Sequence, residues 1–206
     1  MIEFIHQLQG ALSQPLPGPS AQYKMAHAAR KEHPPTPKDV REAGVMALFF
    51  PKQEEWNLAL IQRNNDNPND RHGGQISFPG GKREKTDNNL TDTALRETEE
   101  EIGVKYTDIK ILGGLSELYI PVSNFRVEPY VGYLDYTPIF RPQLSEVQAV
   151  IEVPFHLFQD KKTKQYTNLQ VTPQIKLNNV PHFNIDSHIV WGATAMMISE
   201  LLEALK

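Results

Sequence analysis

The chain has no cysteine, no long apolar run and no excess of basic residues. The absence of cysteine excludes disulfides, thiolate catalysis and cysteine-ligated zinc, and it fits a reducing compartment. The longest strictly apolar run, Val45 to Phe50, is too short to span a membrane, and no basic segment precedes an apolar stretch at the N-terminus. We therefore expect a cytoplasmic protein with no membrane partner.

The charge balance is slightly acidic. Lys and Arg total 21 against 25 Asp and Glu, which gives a formal net charge of −4. No global basic field is available to gather a nucleic-acid backbone, so we expect no nucleic-acid partner. A length of 206 residues with 39% apolar residues is typical of one compact domain with additions, not of a disordered or fibrous chain.

The chain divides into two regions. Residues 1–40 begin with apolar residues at helical spacing over 2–12 and continue with six prolines between Pro15 and Pro37, which indicates a short helix followed by an extended arm. We expect this helix to dock on its own domain or on a partner subunit, which leaves a homodimer open. Residues 41–206 form the second region, the main domain.

Most of the main domain consists of short runs with strand composition, separated by turn residues. The predicted strands are 44–50, 58–62, 109–112, 125–136 and 147–153, and the predicted helices are 91–102 and 193–205. This mixture predicts a mostly antiparallel or mixed sheet layered with a few helices, an α/β or α+β fold.

The predicted helix 91–102 follows a loop opened by two glycines and stops at Gly103, a natural left-handed cap. Glu97, Glu100 and Glu101 share one of its faces by their three- and four-residue spacing, and we expect that face to be exposed. Like charges at this spacing destabilise a helix by about 0.2–0.5 kcal/mol per pair unless a cation compensates. Spacing alone leaves open an ordinary solvated acidic face.

A hard divalent cation would compensate these charges. Mg²⁺ prefers oxygen ligands, and the glycine turn lets a backbone carbonyl, such as that of Gly81, approach as well. Arg96 precedes the acidic group and can orient one glutamate through a bidentate pair.

The same segment closely resembles the Nudix box, Gly-x5-Glu-x7-Arg-Glu-U-x-Glu-Glu-x-Gly-U, in which U is aliphatic. The second half of the box is filled in register by Arg96, Glu97, Glu100, Glu101, Gly103 and Val104. Thr98 stands where an aliphatic residue is usual. Asp87 replaces the first glutamate, and eight residues rather than seven separate it from Arg96.

Those departures resemble the coenzyme A pyrophosphatase subgroup of the Nudix superfamily, in which an Asp and the longer spacing are frequent. The upstream segments Leu60–Arg63 and Arg71–Gly81 look like the extra motif of that subgroup. Blocks at 125–132, 145–154 and 189–195 follow in the expected order. The resemblance implies a Nudix fold, a mixed β-sheet sandwiched between helices.

The resemblance also implies roles for individual residues. The implied catalytic residues are Arg96, Glu97, Glu100 and Glu101. Glu97 and Glu101 would be the main ligands of Mg²⁺ or Mn²⁺, with Glu100 sharing the ions or acting as base and the Gly81 carbonyl as a further ligand. Glu146 is an additional candidate ligand or base. The substrate's phosphates need cations, for which the candidates are Arg63, Arg71 and Lys82.

The implied reaction is metal-dependent hydrolysis of the phosphoanhydride of coenzyme A or its derivatives, a small-molecule nucleotide substrate. One alternative is a Nudix hydrolase acting on another nucleoside diphosphate derivative, such as ADP-ribose or NADH. A second is a nucleotide-sensing Nudix domain without catalysis. Three box glutamates and Arg96 argue against the sensor, since a pure binder has no chemical need for them.

Overall fold

The computed structural model describes residues 2–30, 37–65, 72–172 and 174–206. A mixed β-sheet lies at its centre, and helices cover both faces of this sheet. The predicted fold class is thereby confirmed. Within the described ranges, no helix combines the length and the apolar character that crossing a membrane requires.

Along the chain, groups of consecutive strands are separated by helices. The helices are α1 Ile2–Leu12, α2 Pro19–Gln22, α3 Leu90–Ile102, α4 His156–Gln159 and α5 Gly192–Ala204. The strands are β1 Arg41–Lys52, β2 Glu55–Arg63, β3 Ile76–Ser77, β4 Gly80–Lys82, β5 Lys110–Gly114, β6 Leu118–Ile120, β7 Phe125–Tyr133, β8 Val147–Pro154, β9 Lys164–Gln170, β10 Lys176–Ile185 and β11 His188–Trp191.

The central sheet has the strand order β3-β2-β1-β7-β5, with β4 beside β1, β6 beside β7 and β8 beside β2. Strands β1 and β7 run parallel, and the other pairs are antiparallel. Along β1, Met46 and Leu48 face the core under α3, whereas Ala47 and Phe49 face the core on the opposite side. Burial on both faces explains why this strand reads as a continuous apolar run.

Each predicted strand and helix corresponds to an observed element within a few residues. The second sheet, in the order β11-β10-β9, was not predicted. Strand β9 is mostly exposed and its composition is polar, so it lacks the alternation of apolar and polar residues that indicates a half-buried strand.

The N-terminal helix packs on its own domain. The Phe4 ring lies 5.6 Å from the rings of Phe49 and Phe155, measured between centroids, and Leu8 is fully buried. The prediction of an extended arm was wrong for residues 19–30, which form α2 and two 3-10 turns. Helix α2 begins at Pro19, which occupies the first helical position, where its missing N–H costs nothing.

Helix α3 approaches β1 unusually closely, because residue 44 of the strand is a glycine. A Cβ atom placed on Gly44 would overlap the carbonyl oxygen of Leu90 and lie 3.3 Å from the Cβ atom of Ala94. The first two turns of α3 therefore rest directly on the backbone of β1. This contact fixes the height of the acidic helix above the sheet.

We predict that Gly44→Ala destabilises the protein by about 3 kcal/mol or more, because the clash is with backbone and cannot be relieved by a rotamer change. Gly10→Ala is the matched control. Gly10 lies in α1 with open space around it, so added helix propensity should stabilise by about 0.5–1 kcal/mol. Urea denaturation of both variants measures the two effects. Similar stabilities for the two variants would contradict the close packing.

Candidate active site

The acidic helix is fixed at both ends by its caps. At the start of α3, the side chain of Asn89 accepts a hydrogen bond from the Asp92 backbone N–H at 2.9 Å. At its end, Gly103 adopts a left-handed conformation with φ of 72°, and its N–H donates to the Glu99 carbonyl. The predicted ends of the helix are correct, and the carboxylates between them are held in a defined register.

Arg96 joins the loop between β4 and α3 to the helix α3 itself. Its Nε and Nη2 atoms donate to the two carboxylate oxygens of Asp87 at 3.0 Å each. Its Nη1 donates to Glu97 at 3.0 Å and to Glu100 at 2.9 Å, and Nη2 also donates to the Lys82 carbonyl at 3.1 Å. All five donors of the guanidinium are thus used. The expected bidentate pair with a glutamate is wrong, since the bidentate partner is Asp87.

Asp87 is almost fully buried and serves as an anchor for the loop. Besides Arg96, its carboxylate accepts hydrogen bonds from the Glu84 backbone N–H and from the Thr93 hydroxyl, both at 2.9 Å. The pKa of Asp87 is held well below its ordinary value, chiefly by the hydrogen bonds from Arg96. Sequence reasoning noted this Asp as a departure from the box but missed its partner Thr93, which stands six residues away on the first turn of α3.

Glu97 lies directly against the glycine turn. A Cβ atom on Gly81 would come within 2.6 Å of the Glu97 Oε1 atom, so only glycine allows this approach. Burial raises the pKa of Glu97, although Arg96 acts in the opposite direction. Glu100, in contrast, is about half exposed, with 51% of its side-chain surface accessible.

Glu101 is buried, which corrects the expectation that all three glutamates lie on an exposed face. Its side chain is 2% exposed, its Oε2 accepts a hydrogen bond from the Gly80 N–H at 2.8 Å, and its Oε1 lies 3.6 Å from Nη1 of Arg63. Burial raises the pKa of Glu101 to about 8, and the hydrogen bond from Gly80 only partly offsets that effect. Spacing along the helix could not reveal that the glycine turn folds over this residue.

The donor set fits a hard divalent cation. Glu146 stands just before β8, and its negative charge raises the pKa of both Glu97 and Glu101, while the charge of Glu97 also raises the pKa of Glu101. All the donor atoms of these three carboxylates are oxygens, as Mg²⁺ or Mn²⁺ prefers. No three Asp, Glu or His side chains within the described ranges are already drawn together as a finished metal site. In the structure Glu97 and Glu101 instead use nearby cationic and backbone N–H donors.

The candidate phosphate-binding residues are placed differently from one another. Arg63 ends β2 and lies at the inner edge of the site, beside Glu101. Lys82 ends β4 with an exposed side chain, while its backbone carbonyl accepts from Arg96. Arg71 lies outside the described residues. Arg63 thus lies directly beside a carboxylate, whereas Lys82 contacts the site through its backbone carbonyl.

The sequence pattern of the NUDIX domain matches residues 40–173, well over half of the chain. The chain therefore belongs to the NUDIX domain family. It is 30% identical over 201 residues to an uncharacterized Nudix hydrolase, NudL, of Yersinia enterocolitica, which covers 98% of this chain and 91% of that protein. An uncharacterized NudL of Pectobacterium atrosepticum is 34% identical over 131 residues, covering 64% and 67% of the two chains.

Solved structures agree at the level of the fold. The crystal structure of a MutT/nudix family protein from Enterococcus faecalis superposes with a TM-score of 0.52 at 16% identity. The match covers 89% of this chain and 71% of that one. The likeness therefore extends beyond the NUDIX domain match to most of the chain.

The buried carboxyl of Glu101 should cost the metal-free protein stability. The pKa of Glu101 is raised to about 8 in the folded protein from an ordinary value of 4.5. The contribution of the protonated carboxyl to the free energy of unfolding is therefore fully present below pH 4.5 and is lost as the pH rises through 8. Glu101→Gln removes this dependence, while its amide oxygen can still accept from Gly80. We expect it to raise the free energy of unfolding in EDTA by about 1–3 kcal/mol at pH 8, with little gain at pH 4.5.

Chemical denaturation at the two pH values measures the effect, and turnover with saturating Mg²⁺ should fall by orders of magnitude in the same variant. Glu99→Gln is the matched control on the same helix, because Glu99 accepts from the Tyr106 N–H, away from the cluster. It should change neither quantity appreciably. A loss of metal-free stability in Glu101→Gln would mean that its charge is structurally required.

The ion pair of Asp87 with Arg96 should matter far more than an exposed pair. Asp87→Asn is expected to destabilise by about 1.5–3 kcal/mol, whereas Asp135→Asn, which removes an exposed pair with Lys110, should have a much smaller effect on stability. The Asp87 pKa is lowered, so its contribution is present above about pH 4 and is lost as the pH falls further. Unfolding of wild type and variant should therefore converge in acid. A constant difference down to pH 2 would contradict this assignment.

Proposed function

We propose that the protein hydrolyses the phosphoanhydride of coenzyme A or a coenzyme A derivative, giving 4′-phosphopantetheine and adenosine 3′,5′-bisphosphate. As a member of the Nudix family, the chain is a hydrolase of a nucleoside diphosphate derivative. What we propose beyond this family activity is that the substrate is coenzyme A or one of its derivatives.

The observation that carries the proposal is the use of Asp87 in place of the usual first glutamate. Asp87 has a shorter side chain than glutamate and is separated from Arg96 by eight residues instead of seven. Its carboxylate accepts two hydrogen bonds from Arg96, and these bonds join the loop to α3. The altered spacing therefore still allows the loop to be bonded to α3, which supports its interpretation as a variant of the box. This variant, together with the upstream segment ending in Phe78-Pro-Gly-Gly81, is what resembles the coenzyme A subgroup.

Nudix hydrolases generally use divalent metal ions, and Glu97 and Glu101 would hold one here, with Glu100, Glu146 and the Gly81 carbonyl as further ligands. A bound Mg²⁺ or Mn²⁺ would supply charge neutralisation at the diphosphate and a more acidic water. Arg96 holds Glu97 and Glu100 in register through Nη1.

Side chains around the metal-binding carboxylates would bind the phosphate oxygens and accept a proton. The guanidinium of Arg63, 3.6 Å from Glu101, provides positive charge at the inner edge of the site for the nonbridging phosphate oxygens. Lys82 provides a second, exposed cation at the end of β4, which like β2 pairs with β1. Glu100 and Glu146 are both exposed, so either can accept a proton from water and release it to solvent.

Mass spectrometry of the products tests the substrate. Pure protein with Mg²⁺ or Mn²⁺ is incubated with coenzyme A, acyl-coenzyme A, dephospho-coenzyme A, ADP-ribose and NADH, and Glu101→Gln serves as the blank. We expect the coenzyme A species to be cleaved fastest, to a 4′-phosphopantetheine product. Faster turnover of ADP-ribose or NADH would replace the coenzyme A proposal with the broader hydrolase. No turnover of any of them would favour a nucleotide sensor.

A further inference from the structure

The first turn of α5 is bonded to the strand that leads into the glycine turn. Thr194 lies in this first turn and is buried, and its Oγ1 donates a hydrogen bond to the Ile76 carbonyl at 3.0 Å. Ile76 is the first residue of β3, a strand of only two residues. The bond therefore joins a helix outside the NUDIX domain match to the chain four residues before Gly80.

The Ile76 carbonyl points away from the strand with which β3 pairs. The Arg63 N–H donates to the Gln75 carbonyl at 3.0 Å, so the backbone of Gln75 faces β2. Successive residues of an antiparallel strand alternate in this respect, so Ile76 faces the opposite side. Strand β2 therefore cannot supply a donor to this carbonyl, and Thr194 supplies one instead. Without the hydroxyl, a buried carbonyl would lose this donor, and β3 would shift toward another donor or water.

Strand β3 continues directly into the backbone that contacts Glu101. Phe78 follows the strand and is fully buried, and the carbonyl of the next residue, Pro79, accepts from the Met46 N–H at 2.8 Å. The N–H of Gly80 then donates to Oε2 of Glu101 at 2.8 Å. Because each residue on this path is packed or bonded, a displacement of β3 is passed on to Gly80.

Gly80 has little room in which to absorb such a displacement. Its φ of 145° is a conformation that favours glycine. A Cβ atom placed on it would lie 2.4 Å from the carbonyl oxygen of Gly44 and 2.5 Å from Cα of Val45. The turn is thus pressed against the backbone of β1, and a shift of β3 changes the length or direction of the hydrogen bond from Gly80 to Glu101.

We infer that Thr194 is a positioning residue for the metal site: its hydroxyl fixes β3 and thereby the Gly80 N–H, which orients the carboxylate of Glu101. The inference rests on the proposed function in one respect, that Glu101 holds the metal ion. The effect of Thr194 on Gly80 itself does not depend on that function.

Three variants of the full chain test the inference. Thr194→Val keeps the shape of the side chain and removes the hydroxyl, whereas Thr194→Ser keeps the hydroxyl. Ser199→Ala is the matched control, because Ser199 is a buried residue of the same helix whose hydroxyl donates to the Ala21 carbonyl at 2.8 Å. Thr194→Val and Ser199→Ala each lose one buried hydrogen bond, but only the first bond leads to the glycine turn. Thr194→Ala provides the same test if Thr194→Val does not fold.

Amide hydrogen exchange of the metal-free protein measures the effect on Gly80. We expect the Gly80 N–H to exchange about 3- to 10-fold faster in Thr194→Val than in wild type, and at the wild-type rate in Thr194→Ser and Ser199→Ala. Unchanged exchange in Thr194→Val would overturn the inference. Equal acceleration in Thr194→Val and Ser199→Ala would overturn it too, since it would report only a general loss of stability.

Calorimetric titration with Mn²⁺, without substrate, measures the effect on the metal site. We expect Mn²⁺ to bind Thr194→Val about 3- to 10-fold more weakly than wild type, and Thr194→Ser and Ser199→Ala as tightly as wild type. Glu101→Gln separates the two possible failures. If it binds Mn²⁺ as tightly as wild type, the proposed metal site is wrong. If it binds more weakly but Thr194→Val does not, the metal site stands and the role of Thr194 is refuted.

Discussion

The guanidinium of Arg96 is the interaction on which the candidate site depends. It joins the loop after β4, through Asp87 and the Lys82 carbonyl, to the exposed side of α3, through Glu97 and Glu100. Because one rigid planar group makes all these bonds, the positions of loop and helix cannot vary independently. A lysine could neutralise the charge but could not reproduce the five-bond arrangement.

Glycines determine how closely α3 can approach β1 and the glycine turn. Gly44 lets α3 rest on the backbone of β1, and Gly81 leaves room for the carboxylate of Glu97. The N–H of Gly80 reaches Glu101 for the same reason, since that turn passes over the helix without a side chain in between. The result is that the carboxyl of Glu101 is buried more deeply than its charge favours, and this burial raises its pKa to about 8.

Sequence patterns were sufficient for β1, β2, β5, β7 and β8 of the central sheet and for α3, because β1, β2 and β8 are apolar and α3 has both a capping Asn89 and Gly103. They missed the short strands β3, β4 and β6 of the same sheet. They were insufficient for the burial of Glu101. Helical spacing shows which residues share a face, but what covers that face depends on a turn elsewhere in the chain. The same limit applies to β9, whose pairing with β10 is made by backbone groups and leaves little trace in its side chains.

The segments outside the NUDIX domain match are bonded to it through buried polar groups. Glu200 of α5 is fully buried and accepts from the Gly18 N–H at 3.1 Å, the Ser116 N–H at 3.2 Å and the Gln22 side chain at 2.8 Å. Thr194, at the start of the same helix, donates to the Ile76 carbonyl in the strand just before the glycine turn.

These bonds place residues 18–22 of the N-terminal segment and the strand leading to the glycine turn on a common support, α5. A shift of α5 would therefore move both. Because buried polar groups must keep their partners, the support is rigid. The carboxylates proposed to hold the metal lie within the part of the chain that the family pattern matches, whereas α5, which is bonded to the strand before the glycine turn, lies outside it. The position of that turn therefore depends in part on residues that the family pattern does not contain.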